Sequence, residues 1–274
     1  MSPDEYCRQK AAARGSTCYY AFLFLPPERR RAVTALYALR RELNEVVAQA
    51  TDLSLAQTRL AWWRAEIGRL GAGDPQHPVT RALAASGIGG ASIGELVDGA
   101  EADLLQTRYA DFAALERHCL STDGALAQLV ADALGRRDPR TLDYARELGV
   151  ALRLTAIIRD VGADARRNRI YLPIEDLKAY GVAAADITGA RHSEAFAALM
   201  RRQARRTESY YGRALEALPA EDRRAQRPGL ILAAIQRSLL AEIEGDGFRV
   251  LERRVALTPL RRLWIAWRTW SFGA

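Results

Sequence analysis

The chain has 274 residues, of which 49% are hydrophobic and 27% charged, and its formal net charge is +7 at pH 7. This length and composition suit one or two globular domains with a buried core. No apolar run reaches the roughly 18 residues that a membrane span requires, and the first residues lack the layout of a signal peptide, so we expect a cytoplasmic protein.

The excess of basic residues narrows the choice of partner. Nucleic-acid binding needs a basic stripe interleaved with aromatic residues, or a known module, and the sequence has neither, so we expect no nucleic-acid partner. Arginine clusters at 29–31, 253–254 and 261–262 suit peripheral contact with an anionic membrane surface. Arginines beside an acidic site suit the binding of anionic diphosphates. A solvated arginine-rich surface is the alternative for most of the 40 basic residues.

The first half of the chain predicts helices separated by glycine and proline. A short helix over 3–14 precedes a long helix over 28–50, which starts after a pair of prolines. The further helices that we predict lie at 55–70, 79–85, 93–107 and 112–134. The glycine-rich run at 86–92 has no preceding strand, so we interpret it as a helix connection and not a phosphate loop.

The stretch 144–173 carries the strongest chemical signal. Apolar residues three and four apart predict an amphipathic helix, and Asp160 and Asp164 lie one turn apart on one face, in line with Arg153 and Ala156. Two carboxylates at this spacing repel each other unless positive charge lies between them, which favours a divalent cation or neighbouring arginines. An exposed acidic helix face is the alternative.

The last third predicts a linker over 175–192 and helices over 196–218, 230–251 and 258–270. Thr258 and Pro259 have the N-cap and N1 pattern of a helix start. An apolar face on this last helix suits a membrane interface or a core contact, and we expect core packing. Its members are Leu260, Leu263, Trp264, Trp267 and Trp270. No strand pattern, repeat or domain-length linker occurs, which predicts one all-α domain over 1–274.

The run RLTAIIRDVGADARRNRIYLP at 153–173 resembles the second aspartate-rich motif of the squalene/phytoene synthase family. The similarity extends to YCRQKAAARGSTCYYAFLFLPPERRRAVTALYALRRE near the start, TRLAWWRAEI, HPVTRAL and DLLQTRYADF in the middle, and RRAQRPGLILAAIQRSLLAEIEGDGFRVL and TPLRRLWIAWRTW near the end. Within the family, the chain is most similar to bacterial presqualene diphosphate synthases of hopanoid and squalene biosynthesis. The resemblance implies an isoprenoid synthase fold, that is, the helical bundle of class I terpenoid synthases around a central cavity.

The resemblance also implies an activity and a set of site residues. The family condenses two molecules of farnesyl diphosphate head to head, with Mg²⁺ assisting departure of diphosphate, and stopping at presqualene diphosphate needs no nicotinamide. Asp160 and Asp164 would hold Mg²⁺, with Asn44 and Glu45 as further candidates. The residues implied to bind or cap the diphosphate are Tyr37, Arg41, Asp103, Arg108, Tyr109, Arg153, Arg159 and Tyr171.

Several positions depart from the family pattern. Where relatives read approximately DDxxD, this chain has Asn44, which offers only a neutral oxygen, and Ala48, which offers none. Glu45 or Asp52 would have to substitute. Arg153 and Ala156 stand where relatives have QxxN, and Asp123 replaces the alanine of an AG pair, where it could act as a surrogate ligand or block the cavity.

Two functions follow from this combination. The first is a working prenyltransferase of the presqualene type, in which Arg153 neutralises diphosphate and partly replaces a missing cation. Arg153 could instead pair with Asp160 or Asp164 and fill the pocket with an ion pair. The second function is a catalytically silent member that binds prenyl diphosphate or a partner protein, such as an active synthase of the same pathway. Such a member would resemble the mitochondrial complex I assembly factors that share this fold.

Overall fold

The computed structural model describes residues 1–50, 52–90 and 93–272. Its first helices are Pro3–Ala11 (α1), Thr17–Phe22 (α2), Pro27–Ala48 (α3), Leu53–Gly71 (α4), Pro78–Ala85 (α5), Gly94–Leu105 (α6) and Phe112–Cys119 (α7). A π-helical turn, Leu120–Gly124, precedes Ala125–Ala133 (α8), Thr141–Ala165 (α9), Ile174–Ala179 (α10), Ala184–Thr188 (α11), Glu194–Ala217 (α12), Arg227–Gly245 (α13) and Pro259–Phe272 (α14). Within these described ranges β-structure is limited to one bridge between Arg108 and Ile170. The all-α prediction is confirmed.

Helix α9 lies at the centre of the bundle. It packs against α12, α13, α8 and the π-helical turn, and its predicted apolar stripe is buried, with Ala151 and Ile158 at most 1% exposed. Gly149 lets α9 approach the π-helical turn closely, because a Cβ there would lie 2.3 Å from the backbone oxygen of Asp123. A side chain at this position would push the two helices apart.

The predicted helix over 112–134 is interrupted by the π-helical turn. The Thr122 hydroxyl donates to the backbone oxygen of His118 at 2.7 Å, which competes with the regular helical pattern. The turn places the Asp123 side chain on the cavity described below. The connection predicted at 86–92 follows α5, and its residues 91 and 92 lie outside the described part of the chain.

Helix α14 has the predicted start, since the backbone N–H of Arg261 donates to the Thr258 hydroxyl at 3.3 Å. The expected core packing of its apolar face holds for Trp270, which stacks on Phe24 at 5.4 Å, and is wrong for the other four residues. Leu260 is 80% exposed, Trp264 57% and Trp267 43%, whereas Ala266 on the opposite side is buried. No helix in the described ranges is both long and apolar enough to cross a bilayer.

The close contact at Gly149 gives a stability test. We expect Gly149→Ala to lower the free energy of unfolding by roughly 1–3 kcal/mol, because its methyl group meets the rigid backbone of the π-helical turn. Gly212→Ala in α12 is the matched control, since a Cβ there has no neighbour within 4 Å. Better helix propensity should make this control neutral or up to about 1 kcal/mol more stable. Equal urea midpoints for the two variants would contradict the close-packed interface.

Candidate active site

A cavity of about 660 Å³ opens between α3, α9, α13 and the segment that leads into α14. A recess of about 150 Å³ shares several of its walls and extends towards α6. Arginine dominates the polar lining of the cavity, with six arginines against three acidic residues. These are Arg41, Arg153, Arg159, Arg167, Arg254 and Arg262, and Glu45, Asp123 and Asp160. The lining therefore carries an excess of positive charge.

Asp160 and Asp164 face this space from α9. Arg159 forms an ion pair with Asp160 along the helix, and the Arg254 Nε approaches the same carboxylate at 3.1 Å. Burial opposes ionisation of Asp160, yet these two arginines hold its pKa below the usual value. Asp164 lies in the recess, where burial and the neighbouring Asp160 charge raise its pKa to about 6 against the opposing effect of Arg153.

The facing wall on α3 offers few oxygen ligands. The Asn44 Oδ1 accepts a hydrogen bond from Arg40, and Ala48 contributes no donor atom. Glu45 lines the cavity, but its carboxylate binds Lys10 at 2.6 Å. Asp52 caps α4 by accepting the backbone N–H of Ser54 at 2.8 Å, so it does not substitute for the missing carboxylates.

A chain of ion pairs lies at the floor of the cavity, and we call it the floor network. Arg40 is buried and binds Asp123 at 2.9 Å. The Arg153 guanidinium lies between Asp123, at 3.9 Å, and Asp103, at 3.6 Å. Arg169 reaches Asp103 from the other side at 3.5 Å. Arg153 therefore pairs with Asp103 and Asp123, not with the two aspartates of α9, and it still lines the cavity.

Aromatic groups complete the floor network. The Tyr171 hydroxyl donates to Asp103 at 2.9 Å, and its ring lies 4.8 Å below the Arg153 guanidinium. His118 is buried, with Nε2 3.3 Å from Arg153 Nη2. Burial and the Arg153 charge lower the pKa of His118 to about 4, so this ring is neutral in the folded protein.

The structure brings most of the predicted site residues to one place. The cavity and its recess are lined by Arg41, Asn44, Glu45, Asp103, Arg153, Arg159, Asp160, Asp164 and Tyr171. Three other candidates lie behind this lining. Tyr37 packs on Phe22, Tyr109 is fully buried and stacked on Tyr171, and the backbone of Arg108 forms the bridge to Ile170. The roles of all these residues stay predictions.

Sequence reasoning missed several residues of the site. Arg40 and His118 belong to the floor network, and Arg167 lines the cavity. Arg254 and Arg262 line it as well, although the sequence suggested a place for them at a membrane surface. The sequence did contain one signal for Arg40: it lies four residues before Asn44, which puts both side chains on one face of α3.

The oxygen donors present do not fit a cluster of Mg²⁺ ions. Each Mg²⁺ requires near-octahedral oxygen coordination, but Ala48 and Ala156 supply no ligand and Asp160 is held by two arginines. Across residues 1–50, 52–90 and 93–272, no three His, Cys, Asp or Glu side chains are grouped so that they could hold a metal ion. Arginine guanidinium groups line the cavity where the resemblance implies bound Mg²⁺ ions.

His118 gives a pH test of the floor network. Since the unfolded chain binds the His118 proton near pH 6.5 and the folded chain near pH 4, stability should fall as the pH drops between these values. We expect wild type to lose ~2–3 kcal/mol more than His118→Gln between about pH 7 and pH 4. Urea denaturation at both pH values measures the two losses. Equal losses would show that His118 is not held neutral by its surroundings.

Comparison with known proteins agrees with this architecture. Residues 11–261 match the squalene/phytoene synthase family. The phytoene synthase of Mycobacterium tuberculosis is 33% identical over 255 residues, covering 90% of this chain and 84% of that protein. The phytoene synthase of Arthrospira platensis is 29% identical over 277 residues, covering 94% and 89%.

Solved structures show the same fold. A dehydrosqualene synthase in complex with ligand superimposes with a TM-score of 0.84 at 24% identity, covering 99% of this chain and 96% of that one. The squalene synthase HpnC from Alicyclobacillus acidocaldarius gives a TM-score of 0.76 at 20% identity, covering 90% and 94%. The chain belongs to the squalene/phytoene synthase family, whose shared activity is head-to-head prenyl transfer with diphosphate ionisation assisted by a divalent metal.

Proposed function

We propose that the cavity binds a prenyl diphosphate and that arginine side chains neutralise its diphosphate directly. The observation that carries this proposal is the excess of arginine over acidic residues around one cavity. Guanidinium groups bind phosphate oxygens through pairs of parallel hydrogen bonds and keep their charge at any physiological pH. A cavity lined in this way selects a multiply charged anion.

The distribution of ion pairs supports direct binding. Within the described residues, no carboxylate lies within 4.0 Å of the Arg41 guanidinium. Arg159 and Arg254 share the single carboxylate of Asp160, so the three groups together keep one positive charge. Arg167 lies 4.0 Å from Asp164 and is more than half exposed. These four arginines are available to a diphosphate without breaking the floor network.

The opposite side of the cavity suits a prenyl tail. Ile235 and Leu239 of α13, with Val255 and Leu257 of the following segment, form an apolar wall. A ligand with its diphosphate at the arginines and its hydrocarbon chain along this wall would bury apolar surface at about 25 cal/mol per Å². The cavity therefore matches both ends of an amphiphilic substrate.

Condensation of two farnesyl diphosphates to presqualene diphosphate is the second candidate. The position of Asp160 and Asp164 on one face at the cavity favours it, and so does the shared reaction of the family. The names of the curated relatives favour a phytoene-type product over presqualene diphosphate. A departing diphosphate that lacks one unit-charge contact at 4 Å forgoes about 4 kcal/mol at an effective dielectric constant of about 20, or roughly three decades of rate. Because of this cost, we rank binding of a prenyl diphosphate above condensation as the function of the cavity.

The binding proposal predicts that farnesyl diphosphate binds without metal. Isothermal titration calorimetry should detect binding in EDTA, and adding Mg²⁺ should change the affinity little, since arginines already neutralise the diphosphate. Arg41→Gln and Arg254→Gln should each weaken binding about 10- to 100-fold, the value of a hydrogen bond between charged groups. Arg202→Gln, exposed on α12, is the control and should bind as wild type. Binding that requires Mg²⁺ would contradict direct neutralisation.

A turnover assay separates the two candidates. Purified protein is incubated with radiolabelled farnesyl diphosphate and Mg²⁺, and in parallel with a longer prenyl diphosphate, and products are resolved by chromatography. We expect thermal stabilisation by either ligand without turnover. Presqualene diphosphate or a longer condensation product that disappears in Asp160→Ala would instead establish head-to-head transfer.

A further inference from the structure

We propose that the outward face of α14 docks the protein on an anionic lipid bilayer. Leu260, Leu263, Trp264 and Trp267 follow the spacing i, i+3, i+4, i+7 and all lie at the surface. We call these four residues, together with Phe272 at the end of the helix, the α14 patch. The patch residues are exposed, whereas α14 joins the bundle core through Ala266, Ile265 and Trp270.

The aromatic side chains of the α14 patch contact one another. The rings of Trp264 and Trp267 lie 5.1 Å apart, and Trp267 meets Phe272 edge to face at 5.8 Å. Phe272 is 74% exposed. Tryptophan is enriched at membrane–water interfaces, where its ring reaches apolar chains while its N–H stays hydrated. The composition of the patch thus suits insertion at the level of lipid headgroups.

The charges around the patch favour an anionic lipid surface as the occupant. Helix α14 contains three arginines and no acidic residue. Arg261 and Arg268 lie at the border of the patch, and both are exposed; Arg261 pairs with Glu242 of α13, whereas Arg268 has no carboxylate within 4.0 Å among the described residues. A second copy of the chain stacked on the same face by a two-fold axis would bring these like charges towards each other, which is unfavourable. A bilayer with anionic headgroups attracts Arg268, by roughly fivefold in affinity.

The position of α14 relates the patch to the cavity. The side of the helix opposite the patch contains buried Ala266 and carries Arg262, which lines the cavity and donates to the backbone oxygen of Gly15. Docking would therefore hold one wall of the cavity against the membrane, where amphiphilic prenyl diphosphates and their apolar products partition. The docking itself is independent of the proposed ligand, since the patch shares no residue with the cavity.

The test is sedimentation of the full chain with vesicles. Binding is measured on vesicles of mixed phosphatidylcholine and phosphatidylglycerol, and on vesicles of phosphatidylcholine alone. We expect binding to the mixed vesicles and about fivefold weaker binding to phosphatidylcholine alone, because Arg268 loses its anionic partners. Trp264→Ser combined with Trp267→Ser should lose about tenfold or more of the binding to mixed vesicles, because the inserted aromatic area is removed.

The controls separate docking from misfolding and from self-association. Trp62→Ser removes a tryptophan that is 45% exposed on α4, away from the patch, and should bind vesicles as wild type. Far-UV circular dichroism and farnesyl diphosphate binding of the double variant should match wild type, since the patch lies outside the cavity. Sedimentation with neither kind of vesicle overturns the proposal. A dimer in analytical ultracentrifugation that the double variant abolishes, without vesicle binding, would assign the patch to a second copy and also overturn it.

Discussion

The pairing of Arg153 with Asp103 and Asp123 determines what the cavity above it can hold. Arg153 and Asp103 are largely withdrawn from water, and each of the carboxylates also binds a further cation, Arg169 for Asp103 and Arg40 for Asp123. Removing one partner from such a chain leaves a buried charge without compensation, at a cost of about 3–5 kcal/mol. Rearranging this floor to suit a ligand would therefore cost stability. A Mg²⁺ ion above this floor would meet the charge of Arg153 directly.

Two departures from the family pattern, Asn44 and Asp123, both contact Arg40. The resemblance implies a carboxylate at position 44, and the oxygen of Asn44, which stands there, accepts a hydrogen bond from Arg40. Asp123 stands where the resemblance implies an alanine, and Arg40 and Arg153 neutralise it. Both side chains therefore have charged partners in the floor network. These pairings agree with a site that binds an anion through arginines.

Helical periodicity predicted the fold and much of the site. The buried stripe of α9, the line from Arg41 to Ala48 on α3 and the shared face of Asp160 and Asp164 all follow from spacing along one helix. Contacts between distant segments could not be predicted in this way. Arg40 and Asp123 are 83 positions apart and Arg254 and Asp160 are 94 apart, and no local pattern relates them. Periodicity also located the apolar face of α14 correctly, but spacing carries no information on whether another element covers a face.

The net charge of +7 does not by itself identify a partner, because the arginines that carry it lie in different environments. Arg253 and Arg254 are adjacent in sequence, yet Arg253 pairs with Asp246 at the surface and Arg254 reaches Asp160 at the cavity. On α14, Arg262 faces the cavity while Arg261 and Arg268 border the exposed patch. One helix thus carries an arginine on the side that faces the cavity and tryptophans on its exposed side. A prenyl diphosphate combines the same two chemistries, so a helix of this composition at the cavity wall suits a protein that receives its ligand from a membrane surface.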